Sequence, residues 1–226
     1  MDAPVNTRRY RSPTRAAQAA RTRRQILRSA RELFLAQGYA ATTVAQIAER
    51  AGVAVDTVYA AVGTKPALLR LLLETAISGT DQAVPAEQRD YVTRIRATDG
   101  AREKLSIYAT ALVEILPRLA PLEQVLDEAA RQDPDLAVLQ AEIHQRRASN
   151  MLRLAEDLAL TGQLRPTVSV QEAADVIWAT NAATFYSLLM SRPGWTPDRY
   201  GPWLADTWTR VLLTDDDSPR ARPRQR

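Results

Sequence analysis

The sequence predicts an all-α protein in two parts, a small amino-terminal helical unit and a larger helical body. Three observations carry this. Apolar residues recur at three- and four-residue spacing along most of the chain, which is the period of one helix face. No segment alternates apolar and polar residues as a half-buried strand does, and no internal repeat is present. Charge is also divided unevenly: residues 1–65 hold eleven Arg or Lys against four Asp or Glu, while residues 66–226 hold nineteen against twenty-two. A basic front end on a slightly acidic body implies that one part meets phosphates and the other does not.

Composition sets the outer bounds. The 226 residues are 46% hydrophobic, enough for a sizeable helical core, and include no cysteine, which excludes disulfides and thiolate metal sites. No apolar run approaches the roughly 18 residues of a membrane span. The amino terminus is polar and Arg-rich with no apolar signal segment, so a cytoplasmic protein is expected.

The elements follow in order. Residues 1–14, with Arg8, Arg9, Arg11, Pro4 and Pro13 and no apolar period, read as a disordered basic arm of a kind that a DNA minor groove can take. The front unit is expected over 15–63. Its first helix, about 15–37, carries Ile26, Leu27, Ala30, Leu33 and Phe34 on one face, keeps Arg21, Arg23, Arg24 and Arg28 largely off it, and ends at Gly38. A second helix, about 43–50, has Thr42 as N-cap candidate, Val44, Ile47, Ala48 and Ala51 at helical spacing, and Gly52 where a left-handed residue closes it. A third spans about 55–62 and stops at Gly63. Two short helices about one tight turn form a helix-turn-helix, whose second helix can enter a major groove.

The body is expected over 64–213. Thr64 caps a fourth helix from Lys65 to about Ile77. Its Leu68, Leu69, Leu72 and Leu73 make a broad apolar face, expected to pack on both the front unit and the body. Residues 79–100 are loop-rich with one short helix near 86–95. A fifth helix covers about 101–116, ended by Pro117, and a sixth about 121–131. Asp133 and Pro134 start a seventh as cap and first helical position, running to about Leu160. Ser169 and Glu172 form a capping box for an eighth, about 170–190. Thr196 and Pro197 start a ninth, about 197–213. Residues 214–226 read as a disordered tail.

The run ILRSARELFLAQGYAATTVAQIAERAGVAVDTVYAAVGTKPALL, Ile26–Leu69, resembles the DNA-binding domain of TetR-family transcriptional regulators. It has the apolar first helix, the Gly-Tyr followed by Thr-Thr-Val, the Ile-Ala and Ala-Gly-Val of the next helix, the Thr and Tyr of the third, and a Lys before the apolar fourth. The resemblance implies a ligand-responsive repressor that binds a pseudo-palindromic operator as a dimer and is released by a small molecule. It further implies that Val55, Asp56 and Thr57 face base edges, and that Thr42, Thr43, Tyr59 and Lys65 hold phosphates. The chemistry fits, since hydroxyl and ammonium donors near a helix start aim at phosphate, and Val55 or Thr57 can touch a thymine methyl. The sequence departs from the pattern at Ala54, where a capping Ser is usual, and at Ala60, Ala61 and Val62, where larger residues are frequent.

By the same resemblance the body holds an effector pocket. Tyr108 and Leu112 share a face of the fifth helix, His144 and Met151 lie seven apart on the seventh, and Trp178, Asn181 and Phe185 follow at helical spacing on the eighth. Aromatics with a few polar groups suit a small-molecule pocket; a plain helical core with His144 and Asn181 satisfied by neighbours is the alternative. The eighth and ninth helices read as a dimer surface. Ala173, Thr180, Ala183, Thr184 and Ser187 make a small-residue side, and Tyr200, Trp203, Leu204, Thr207, Trp208, Val211 and Leu212 a wide aromatic stripe.

An enzyme is not expected. One His and no Cys leave few nucleophile–base arrangements, the eight glycines form no phosphate loop, and Glu123, Asp127 and Glu128 beside a single His make no metal pattern. No cofactor or membrane partner is expected. A constitutive architectural DNA-binder without an effector is the competing class.

Overall fold

A computed structural model describes residues 13–214. The expected basic arm up to residue 12 and the expected tail from residue 215 lie outside the described residues. Among those described, the chain is all helical: α1 (Pro13–Ala41), α2 (Val44–Ala51), α3 (Val55–Val62), α4 (Lys65–Ser78), a 3-10 turn (Ala86–Gln88), α5 (Asp90–Arg96), α6 (Ala101–Ala130), α7 (Pro134–Leu160), α8 (Val170–Thr180), α9 (Ala183–Met190) and α10 (Pro197–Leu212). Ten α-helices thus stand where nine were expected. Two compact units meet in sequence between Leu72 and Leu73, inside α4, whereas the sequence reading placed the boundary at 63/64.

The first unit forms as its caps dictate. Gly38 takes φ 79° and ψ 170°, which breaks the helical path of α1 before its last residues. Ile26, Phe34, Ile47, Ala51 and Val58 are fully buried and form its core. Thr43 rather than Thr42 is the N-cap of α2, in a reciprocal capping box with Gln46. Thr42 is instead fully buried, its hydroxyl donating to the Gly38 carbonyl at 2.8 Å. Gly52 closes α2 in the left-handed region at φ 64°, and its N–H reaches the Ala48 and Glu49 carbonyls.

The second unit departs from expectation at three prolines and one asparagine. Pro117 and Pro121 lie inside α6 and do not end it. Neither is buried, and they stand four apart on one side, while Leu116, Leu119, Ala120, Leu122, Val125 and Leu126 keep the helix seated in the core. The clash with each preceding turn is thereby confined to one side. By length and composition α6 is apolar enough to cross a membrane, against the sequence expectation, but more than half of its most apolar window is buried inside the fold. Pro85 leads into a 3-10 turn before α5, so the short helix expected near 86–95 is two pieces. The expected eighth helix is also two, α8 and α9, parted at Asn181 and Ala182. Asp133 with Pro134, Ser169 with Glu172, and Thr196 with Pro197 start α7, α8 and α10 as the sequence indicates.

Helix α10 packs closely on α6 through Gly201. A Cβ there would collide with Cγ2 of Val113 and come within 3.4 Å of the Ala109 carbonyl oxygen. Gly201→Ala is therefore expected to destabilise the protein by about 1–3 kcal/mol, the usual cost of overpacking, although Gly to Ala inside a helix ordinarily gains about 1 kcal/mol. Urea unfolding checks the sign, and adding Val113→Ala should recover part of the loss.

Candidate nucleic-acid interface and interior polar site

In the first unit α3 is buried on one side and open on the other. Val58 is fully buried, whereas Val55 is 39% and Tyr59 49% exposed. Asp56 is exposed and Thr57 half-buried on the same first turn. The N-cap position, Ala54, supplies no side-chain bond, and its carbonyl accepts from the Thr57 N–H at 3.0 Å. Thr43 stands exposed at the start of α2. Among the residues assigned to DNA by resemblance, Val55, Asp56, Thr57, Tyr59 and Thr43 therefore reach the surface.

Thr42 and Lys65 do not share that placement. The Thr42 side chain is inside the unit, so it does not present a donor to a phosphate. The Lys65 ammonium donates to the Tyr39 carbonyl at 2.9 Å and the Thr42 carbonyl at 2.8 Å, and lies 4.0 Å from the centre of the Tyr39 ring. Lys65 thus fastens the start of α4 to the turn between α1 and α2. Bonds to a charged donor contribute about 1.5–3 kcal/mol each. Lys65→Met is expected to lower stability by roughly that amount for one such bond, measured by urea unfolding, and to weaken any DNA affinity by loosening the turn that holds Thr43.

In the second unit Asn181, between α8 and α9, is 4% exposed and joins three helices. Its Nδ2 donates to the Tyr108 hydroxyl at 2.8 Å and approaches the Met151 sulfur at 2.9 Å; its Oδ1 accepts from Arg147 Nη1 at 2.6 Å. The same Nη1 donates to the Trp178 carbonyl at 2.8 Å, and the guanidinium sits 4.5 Å from the centre of the Trp178 ring. Helix α8 ends with unpaired carbonyls; Arg147 takes one and the Tyr200 hydroxyl takes that of Thr180 at 2.7 Å. Tyr108 stacks on Trp208 at 5.7 Å and on Tyr91 at 5.8 Å. Burial, with Tyr91 adding, holds the Tyr108 hydroxyl protonated far above its ordinary range.

The sequence-predicted pocket residues divide accordingly. Tyr108, Met151, Trp178 and Asn181 come together, and Leu112 is buried in the same core. His144 is exposed and does not join them. Phe185 lies elsewhere, stacked at 6.1 Å on Trp203. Sequence reasoning missed Arg147 and weighed Glu123 only as a metal ligand. Burial pushes the Glu123 carboxyl up to about 6, with Arg147 opposing and Asp127 adding to the rise. Burial lowers the Arg147 pKa, with Glu123 opposing.

The expected dimer surface also divides. Ala173, Tyr200, Leu204 and Trp208 are fully buried within the unit and are not surface residues. Trp208 Nε1 donates to the Thr180 hydroxyl at 2.7 Å, which itself donates to the Val176 carbonyl at 2.6 Å. On α10 the i, i+4 row from Tyr200 to Leu212 faces the core, and the adjacent row holds the half-buried Trp203 and Thr207 and the exposed Val211. Thr184 and Ser187 are exposed on α9, next to Leu188 at 63%.

The profile of bacterial regulatory proteins of the tetR family matches residues 26–72, which include the whole helix-turn-helix. No curated protein matches the chain. Among solved structures, the chain is similar to NalD, the secondary repressor of the MexAB-OprM multidrug efflux pump in Pseudomonas aeruginosa. Identity there is 22% and the TM-score 0.66, over 88% of this chain and 99% of that one. A transcriptional regulator from Saccharomonospora viridis in complex with choline is 17% identical with a TM-score of 0.66, over 87% and 100%. FadR from Bacillus subtilis in complex with stearoyl-CoA is 20% identical with a TM-score of 0.65, over 82% and 96%. At these identities the likeness is one of fold, and it extends through the body.

Proposed function

We propose that this chain, whose residues 26–72 match the tetR family of bacterial regulatory proteins, is a transcriptional repressor that binds a pseudo-palindromic operator as a homodimer and leaves it when a small molecule binds the body. The observation that carries the reading is the open side of α3, with Val55 and Tyr59 exposed opposite a fully buried Val58. Helix α3 enters the major groove, where Val55 and Thr57 touch bases, and Thr43 and Tyr59 hold phosphates. Asp56 repels phosphate and selects a cytosine amine.

Control runs through α4, which is continuous from one unit into the other. Within the second unit its far half is tied to α7 by Glu74 with Arg146 at 3.5 Å, and to α6 by Arg118 donating to the Ala76 carbonyl at 3.1 Å. A ligand acts by binding the non-operator form better, and operator then weakens the ligand by the same factor, typically about 1–3 kcal/mol of coupling. The relatives solved with choline and with stearoyl-CoA support a body that takes small molecules.

A constitutive DNA-binder is the second reading, favoured by the way Asn181, Tyr108 and Met151 satisfy one another. A mobility-shift titration on the region upstream of the protein's own gene tests the main reading. Tight binding that falls with salt and with Tyr59→Ala supports it. Binding no tighter than to unrelated DNA of equal length counts against it.

A further inference from the structure

We infer that the joint between α8 and α9 is a two-state element, that Arg147 and Tyr200 hold it broken, and that the broken form sets the direction in which α9 presents its self-association face. The inference rests on the homodimer reading above and names the residues that fix the geometry of that dimer.

Nothing in the local sequence calls for a break. From Val170 to Met190 the chain holds no glycine or proline, and the residues at the joint, Ala182 and Ala183, are of the type with the highest helix propensity. Yet Ala182 is extended, at φ −66° and ψ 142°, and α9 starts after it with no side-chain cap. In a continuous helix the Ala182 N–H would take the Trp178 carbonyl and the Thr184 N–H that of Thr180. Both carbonyls accept from other helices instead. Arg147 Nη1, on α7, donates to the Trp178 carbonyl at 2.8 Å, and the Tyr200 hydroxyl, on α10, donates to the Thr180 carbonyl at 2.7 Å. Two further bonds brace the joint: Arg147 Nη1 to Asn181 Oδ1 at 2.6 Å, and Trp208 Nε1 to the Thr180 hydroxyl at 2.7 Å.

A break fixed by packing is reversible in a way that a proline break is not. The broken joint lacks two bonds within the helix and has two from its neighbours; the continuous one exchanges them back. The states differ by bonds of one kind, which is the condition for a bistable element. An unmade backbone bond inside a fold is costly, so withdrawing either donor drives the joint toward the state whose own N–H groups supply the bond. Closing it swings α9 onto the line of α8, and Thr184, Ser187 and Leu188, all exposed on α9, turn with it. Since Arg147 stands on α7 and Tyr200 on α10, a shift of either helix is read out at that face.

The test uses the full chain with isotope-labelled alanine, unaltered and as Tyr200→Phe, Arg147→Met and the two together. The Ala182 Cα chemical shift reports that residue's own backbone conformation. It should lie in the extended range in the unaltered chain and in the helical range in the double variant. Tyr200→Phe, which loses one hydroxyl, should move it at least part of the way, and decides the matter if the double variant loses its helical circular-dichroism spectrum. The chain has no cysteine, so Glu156→Cys, exposed on α7, carries one spin label per subunit. The distance between the two labels of a dimer should shift beyond its unaltered distribution whenever Ala182 turns helical. Adding Ala183→Pro to Tyr200→Phe should return both signals, because proline suits the first position of α9 and forbids a continuous helix. An Ala182 signal that stays extended in every folded variant overturns the inference and leaves the homodimer reading standing. A helical Ala182 with the label distance unchanged overturns the link to self-association. An unaltered chain that sediments as a monomer overturns the homodimer reading and that link with it.

Discussion

Arginine at both Leu188 and Val211 should leave the protein monomeric and cost it most of its operator affinity. The two side chains are 63% and 46% exposed on α9 and α10, with Thr184, Ser187 and the Phe185–Trp203 stack beside them. A two-fold interface presents the same patch from both subunits, so each substitution places two charges in one contact, where desolvation is not repaid. Linked half-site binding gains about 100-fold or more over a single head, and that gain is lost with the dimer. The expected result is a monomer in sedimentation, a helical circular-dichroism spectrum, and operator affinity at least about 100-fold weaker. A folded variant that sediments as a dimer would show that this face is not the interface.

Trp208→Ala should destabilise the body by about 3–5 kcal/mol, the range for emptying a large aromatic site in a core. The indole is fully buried, stacks on Tyr108, and donates to the Thr180 hydroxyl at the end of α8. Its removal opens a cavity and leaves that hydroxyl short of a donor at the point where α8 gives way to α9. Urea unfolding measures the loss. A change below about 1 kcal/mol, small on the scale of core substitutions, would mean that the stack and the bond do not hold the helix break.

These outcomes also show which features are legible in the chain. Caps were: Gly52, Asp133, Ser169 and Thr196 each mark a helix end that local chemistry fixes whatever packs outside it. Breaks decided by packing were not. Pro117 reads as a stop because the clash with the preceding turn is local, but buried leucines on both sides of it make the helix continue. Asn181 reads as one more residue of a long helix, because nothing local announces that Tyr108, Met151 and Arg147 converge on it from two other helices.

For the sites, the open side of α3 followed from the resemblance and from the buried Val58. Thr42 is buried and the Lys65 ammonium engaged for one reason: a hydroxyl or ammonium suited to a phosphate suits a backbone carbonyl equally well, and the turn at Gly38–Thr42 supplies those carbonyls. Tyr200, Leu204 and Trp208 read as interface because the seven-residue stripe from Tyr200 to Leu212 contains two adjacent rows, and only the fold says which row turns inward. Arg147 carried a signal that was passed over, since it sits in register with an apolar row where a charge needs a reason.

The most direct measurement is selection of bound sequences from a random DNA pool by the full chain. The account predicts an enriched motif of two inverted half-sites whose centres lie successive turns of the major groove apart, about 34–36 Å per turn, with Thr57→Ala changing the preferred bases and leaving the spacing unchanged. Retention of DNA through salt-sensitive charge alone, with no enriched motif, would contradict it.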